Sequence, residues 1–583
     1  MHLVQVLVIT EVNKVMRYAV DPRQNLLFDP AEGMFSPMTI KVIKNDWPGV
    51  FRHQILHLMP VGKLGEHFHP VLGCKTKELY GMAGTLLLRE MFNLSIEQTV
   101  QKYLTDMAWQ YALNVEPMTA SMSHATIERY SKLFAEHDLA SDIFHRVASA
   151  LIEALELQID LQRLDSTHVF SDMALLGRTR LMAVAISRFL VQLRRHHRDL
   201  YDALPQEITQ RYARSKSQMF AEYQGPKHVL RQSVAERLAW MVDRFADVPQ
   251  VASRSTYQAM CRILHEQCDV LGDAVRLKAK TDLNVMQNPS DPDATFDGHK
   301  GPGYQAQIAE TCSQDNDVQL ITGVLVETAS ASDQDALEPM LDQLRQQDLA
   351  PETLLADQGY GRDENVVAAQ DRGVDLQSPV AGSAPQNPDD LTVDDFVIDE
   401  STEIVQRCPA GHEPVSSVHD RRTGQTTTVM ATVVCGTCEF RSQCPVRRRR
   451  RGYVLRHTSL QRRSAARRAE QATEPFRQNY RRRAGGESVN SGLKRKTGMG
   501  RLRTRGLGRM RMGILLRCAG WNLFQAVRAQ KARLRAAAAA AMGILVRTGW
   551  CQKVAHGLTM LFRLLPPASR RGNAFARPPS VAA

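Results

Sequence analysis

The sequence predicts a mixed α/β core, a sheet with helices packed on it, that carries an all-helical N-terminal part, a helical insertion and a small cysteine-rich insertion. Three observations predict it. Short stretches with alternating apolar residues recur along the chain, segments of helical period separate them, and four of the ten cysteines cluster between 408 and 444.

Residues 1–60 mix short apolar runs with turn residues. From about Lys75 to Leu155 apolar residues fall three and four apart, and Ser123 in "SHATIERYSKLFAEH" offers a cap. Residues 1–155 are thus read as a mainly helical, DNA-binding domain. A helix-turn-helix module and a plain bundle fit this pattern equally. "LQIDLQRLDSTHVFSDM" (157–173) alternates at Leu157, Ile159 and Leu161 and reads as a strand carrying Asp165, so 156–177 opens the core. Residues 178–285 return to helical patterns as an insertion, in which "RRHH" (194–197) reads as a solvated face.

The core resumes over 286–400. "GYQAQIAET" and "VQLITGVLVET" alternate as two strands, "SDQDALEPMLDQLRQQ" reads as a helix, and "ETLLADQGYG" as a short strand ending on Asp357. "DENVVAAQDRG" is a helix and "VDLQSPV" a further strand. A Pro- and Asp-rich stretch from about 381 leads to the cysteine-rich insertion, 401–453. Basic helices occupy 454–535, and 536–583 reads as a weakly ordered tail.

Charge is unevenly placed. Between Arg441 and Arg535 stand 28 Lys and Arg against Glu470, Glu474 and Glu487, a balance of +25; with +12 for the whole chain, the remainder sums to −13. A basic block on an acidic body points to a polyanionic partner, most simply nucleic acid. The opening "MHLVQVLVIT" lacks the marks of a secretory signal, and "AAAAAAMGILV" (536–546) is too short to cross a bilayer. Few cysteines and no disulfide framework suggest a reducing, cytoplasmic setting.

The acids Asp165, Asp357 and Glu487 stand where strand ends and a packed helix would meet. Hard oxygen ligands suit Mg²⁺ or Mn²⁺, which can activate a water and stabilise the leaving oxygen of a phosphodiester. In "YRRRAGGESVNSGLKRK" (480–496) the residues Tyr480, Arg483, Glu487 and Lys494 would fall within about 60° of one another on a continuous helix. Gly485 and Gly486 precede Glu487; they would permit close approach of the backbone to DNA, or mark a helix break.

The spacing Tyr-x2-Arg-x3-Glu-x6-Lys resembles the signature around the last acid of DDE transposases of bacterial insertion sequences. "RLDSTHV" (163–169) and "LLADQGYG" (354–361) look like the first- and second-Asp strands of that group, and "DGHKGPGYQAQIAET" (297–311) is similar to its intervening strand region. The resemblance spans roughly residues 20–530, with Ile40–Leu155 resembling the family's N-terminal helical domain. It implies an RNase H-like catalytic core and metal-dependent cleavage and joining of double-stranded DNA. Asp165, Asp357 and Glu487 would hold Mg²⁺ or Mn²⁺, and Tyr480, Arg483, Lys494, Lys300 and Arg495 would contact DNA. A homodimer or larger assembly would pair two element ends. The alternative is a catalytically inactive, transposase-derived DNA-binding protein.

Cys408, Cys435, Cys438 and Cys444, with His412 as a substitute ligand, are spaced for one structural Zn²⁺, free thiols being the alternative. Cys74, Cys261, Cys268, Cys312, Cys518 and Cys551 read as buried small hydrophobes. His168 reads as a strand neighbour rather than a base. Asp297 in "FDG" reads as a turn residue, and His299 and Lys300 as a turn or a DNA contact.

Overall fold

Helices make up residues 37–155 of the computed structural model, which describes residues 17–24, 33, 35–117, 120–214, 218–272, 274–380, 387, 389–450 and 452–547, with side chains to residue 540. Local capping starts several of them. Ser95 accepts from Gln98 N–H while the Gln98 side chain returns to Ser95 N–H ahead of Ile96–Thr105. Ser123 caps His124–Glu136 as the sequence predicts. Leu79–Met91 is buried along almost its whole length, so helices pack around it on every side.

β1 (Leu161–Val169) begins at Leu161 rather than at Leu157. Glu156, at φ 55°, turns the chain out of the Leu139–Leu155 helix, and Leu157 N–H bonds back to Ile152 O, so the early alternation belongs to a helix end. The insertion then folds on its own apolar cluster, with Ile186, Phe189, Met241, Phe245 and Ile263 buried together. Each such side chain contributes about 1.5–3 kcal/mol by leaving water. Its last residues are not helical. β2 (Cys268–Leu271) and β3 (Ala274–Leu277) form a hairpin that turns at Gly272, where φ is 60° and glycine is favoured.

β4 (Thr295–Asp297), β5 (Gly301–Thr311), β6 (Ile321–Thr328), β7 (Thr353–Ala356) and β8 (Asp375–Gln377) complete a mixed sheet with β1. Its order is β6-β5-β1-β7-β8, with β4 beside the start of β5. β5 runs antiparallel to both β6 and β1, whereas β1, β7 and β8 are parallel. The Asp363–Gln370 helix makes the crossover that parallel β7 and β8 require. β1 is central, and its side chains are buried except at Asp165 and Ser166, which are half-buried. The strand opens only where it carries the acid.

β9 (Val397–Ile398) pairs β10 (Val405–Arg407), and a separate sheet takes the order β11-β12-β14-β13 from β11 (Ser416–Asp420), β12 (Gln425–Met430), β13 (Arg447–Arg449) and β14 (Gly452–Thr458). Thr458 and Gln461 form a capping box for Ser459–Gln471, which leads into Glu474–Tyr480. One expectation is corrected here: Tyr480, Arg483, Glu487 and Lys494 do not lie on a single α-helix. Residues Arg481–Ala484 form a 3₁₀ turn, and the α-helix restarts as Gly485–Lys496.

Contacts divide the chain into two units, 1–526 and 527–583. In the second unit the helix Leu507–Arg547 continues to Arg547, past the boundary at which the sequence suggested a weakly ordered tail. Its alanine run has the highest intrinsic helix propensity. Residues 548–583, Cys551 among them, lie outside the described residues. No helix among the described residues is long and apolar enough to cross a membrane.

Candidate active site

Asp165 sits at the open point of β1, and Asp357 immediately follows the parallel β7. The register sets Leu164 beside Ala356, so the two acids emerge side by side. One guanidinium joins them. Arg483 Nη2 lies 3.6 Å from Asp165 Oδ1 and 3.6 Å from Asp357 Oδ2. Burial raises the Asp165 carboxyl above its ordinary range; Arg483 opposes that shift, and the charge of Asp357 adds to it. Asp357 also accepts from Gly359 N–H at 2.8 Å, which fixes the turn after β7.

A second ion pair holds Arg483 in place. Arg163 shares a face of β1 with Asp165, two residues away, and pairs in register with Glu310 of β5. Arg163 Nε donates to Glu310 Oε2 at 2.9 Å, and its Nη2 also bonds that oxygen. Its Nη1 donates at 2.9 Å to the backbone carbonyl of Arg482, the residue before Arg483. Full burial pushes the Glu310 carboxyl up to about 7, with Arg163 pulling it down. The same contact explains Gly485, whereas a Cβ at Gly486 would make only ordinary van der Waals contact. A Cβ at Gly485 would lie 2.0 Å from Arg163 Nη1, and one at Gly486 would lie 3.6 Å from Asp165 Oδ2. The backbone does approach closely, and it approaches β1.

The remaining residues of the motif take distinct places. Tyr480 donates to Ala356 O at 3.1 Å and stacks on Phe476, so its phenol ties the motif to the end of β7. Lys494 is pushed down by burial and then by neighbouring Lys300, while Asp165 pulls it up. Lys300 is exposed at the β4–β5 turn, where Asp297 Oδ1 accepts from the His299 and Lys300 N–H groups at 2.7 Å each. Arg495 is exposed, with Nε 3.4 Å from Ser491 O. Glu487 is exposed on the first turn of Gly485–Lys496 and, among the described residues, makes no hydrogen bond or ion pair. Asn490, one turn further on, does reach Asp165: Nδ2 donates to Oδ2 at 3.1 Å.

Sequence reasoning overlooked Arg163, Glu310 and Asn490. It also overlooked Asp333, which accepts from Ser166 Oγ at 3.2 Å and from Gln307 Nε2 at 2.9 Å. The β-strand alternation that puts Arg163 on the face of Asp165 was a usable signal; the partners of Asn490 and Asp333 had none. His168 is buried against Phe170, as a strand neighbour.

The oxygen set at Asp165 and Asp357 suits a hard divalent cation, since a single positive group already sits between the two carboxylates. Arg483 Nε is buried without a partner, so protein groups do not satisfy the whole guanidinium. Among the described residues, however, no three His, Cys, Asp or Glu side chains meet closely enough to hold a metal ion together. Cys408, Cys435, Cys438 and Cys444 line one small cavity with His412, but they too form no group of three ligands, and the expectation of Zn²⁺ gains no support from the arrangement. Burial and then the other three thiols raise the Cys435 thiol. Of the remaining cysteines, Cys268, Cys312 and Cys518 are buried, Cys261 is half-buried and Cys74 is exposed, at a turn with little apolar cover.

Residues 407–527 match a family model, and that family is the transposase DDE domain. The DDE-domain match covers about a fifth of the chain and supports a transposase. It includes the four clustered cysteines, Tyr480, Arg483, Glu487 and Lys494; Asp165 and Asp357 lie before it. No curated protein and no solved structure matches the chain.

Proposed function

We propose that the chain is a DDE-type transposase of an insertion sequence, which binds the ends of its element and catalyses divalent-metal-dependent cleavage and strand transfer of DNA. The observation that carries this reading is the meeting of Asp165 and Asp357, from two neighbouring strands, on Arg483 of the segment that matches the DDE domain. The order β6-β5-β1-β7-β8, three antiparallel strands followed by two parallel ones, is consistent with an RNase H-like core.

In this reading Asp165, Asp357 and Glu487 hold Mg²⁺ or Mn²⁺, Glu487 coming from the Gly485–Lys496 helix whose Asn490 already reaches Asp165. Bound divalent cations supply an activated water or hydroxyl and stabilise the leaving oxygen. Arg483 neutralises the paired carboxylates and can face a phosphate with its fork of donors. Lys494, Lys300 and the exposed Arg495 offer positive charge to the DNA backbone, and Tyr480 keeps the motif docked on β7. Cleavage and joining are both in-line phosphoryl transfers without a covalent enzyme intermediate, so no Ser or Tyr nucleophile is required. Two ends must be held together, so the active assembly is a homodimer or larger.

The test offers the purified protein duplex DNA that carries the element end and its flank, with Mg²⁺. Asp165→Asn is expected to bind this DNA like the wild type and to cut it roughly a thousandfold more slowly, a loss of about 4 kcal/mol of transition-state stabilisation. Equal cutting by the two proteins would remove Asp165 from the mechanism.

A further inference from the structure

The β11–β14 sheet is packed on one face only. Met430, Tyr453 and Leu455 are buried with Phe396, Val405 and Val446 on that side. The register defines the opposite face. Arg447 pairs Val454, which pairs Val429, which pairs Ser416. In the next row Arg456 pairs Thr427, which pairs Val418. Arg449 lies two residues from Arg447 and therefore points the same way.

Arg447, Arg449 and Arg456 are all exposed, and Val418 on the same face is 62% exposed. None of the three guanidiniums forms an ion pair among the described residues. The carboxylate of this face, Asp420, is engaged at the hairpin turn, accepting from Arg422 N–H and Thr423 Oγ1 at 2.9 Å each. Charge on an edge strand is a common defence against strand-to-strand aggregation, and that would account for β13. It does not account for Arg456, because β14 lies between β12 and β13. Strand geometry sets Arg449 about 7 Å from Arg447 along β13 and places Arg456 diagonally from Arg447 on neighbouring β14, about 7–8 Å away, so the three guanidiniums are spread enough to meet separate phosphates. Planar guanidiniums without acidic partners match phosphate oxygens.

We propose that the open face of the β11–β14 sheet is a second contact surface for the backbone of duplex DNA, with Arg447, Arg449 and Arg456 each taking a phosphate. This inference rests on the reading of the chain as a DNA-acting enzyme, and adds a site remote in sequence from Asp165 and Asp357. The surface reads charge and not base sequence, so it would hold DNA beside the cleaved end rather than choose the end.

The experiment uses the full-length protein and a fluorescein-labelled duplex of about three helical turns, titrated by anisotropy between roughly 50 and 200 mM salt. Arg447→Gln with Arg449→Gln and Arg456→Gln is expected to lower the slope of log affinity against log salt by about 2.7. The corresponding triple Lys variant is expected to keep the wild-type slope. A wild-type slope in the Gln variant would overturn the second surface and leave the enzyme reading intact. A wild type that does not bind duplex DNA at all would overturn the enzyme reading itself. Should the Gln variant melt early, phenylglyoxal labelling of the wild type decides: duplex DNA is expected to protect these three arginines, and unchanged labelling would overturn the inference.

Discussion

The guanidinium of Arg163 occupies the space that a side chain at Gly485 would need, at 2.0 Å from the ideal Cβ position. Through that contact the central strand of the sheet and the segment carrying Arg483 are built as one piece. Arg163 cannot swing away freely, because Glu310 and Arg482 O hold it. Gly485→Ala is therefore expected to cost about 1–3 kcal/mol of stability, the range for overpacking a filled interior. Urea unfolding of the variant measures it, and a change below about 0.5 kcal/mol, typical of an unconstrained surface site, would contradict the account.

Glu487 separates a structural from a catalytic role more cleanly. It is exposed and makes no hydrogen bond or ion pair among the described residues, so Glu487→Gln is expected to leave unfolding free energy within about 0.5 kcal/mol of wild type. Metal-dependent cutting is expected to fall by roughly a thousandfold, as for a lost carboxylate ligand of the catalytic metal. Undiminished cutting would remove Glu487 from the triad and leave Asp165 and Asp357 to be tested alone.

Acid sensitivity should have one identifiable source in His145. Its Nε2 lies 2.9 Å from Gln347 Nε2, which donates to it, and its Nδ1 is buried without a partner. Burial is the main cause that lowers this imidazole from 6.5 to about 4. The unfolded chain therefore binds a proton that the folded chain refuses between these values. The stabilisation is complete above about pH 6.5 and is lost as the pH falls toward 4, amounting to about 3 kcal/mol. Denaturant titrations across this range measure it, and His145→Gln is expected to flatten the profile; an unchanged slope in the variant would assign the effect elsewhere.

Much of the sheet was legible because its signals are local. Alternation in "GYQAQIAET" marks β5 and the short apolar run before Asp357 marks β7; Asp165 within its strand and Asp357 after the other were singled out by position, and the Tyr480–Lys494 spacing with the resemblance to DDE transposases supported them. What the sequence hid is tertiary. Leu157 alternates with Ile159 yet belongs to a helix end, because Glu156 adopts a left-handed conformation there. The 3₁₀ turn Arg481–Ala484 breaks the expected stripe; it brings Arg482 O to Arg163 and Arg483 to the aspartates, contacts that no helical wheel contains. Gly485 and Gly486 were read as an approach to DNA or a helix break, and the filled space beside Gly485 belongs to the chain's own strand. The hairpin β2–β3 was masked by the long helical run before it.

The central claim is that Asp165 and Asp357 share one divalent cation beside the DNA backbone. Iron(II)-directed backbone cleavage tests it most directly, with Fe²⁺ replacing Mg²⁺ and ascorbate generating radicals at the bound ion. The account predicts protein fragments cut next to residue 165 and next to residue 357 in the same experiment, suppressed by excess Mg²⁺ and absent from the Asp165→Asn variant. Cutting confined to other segments, or at one of the two aspartates without the other, would contradict it.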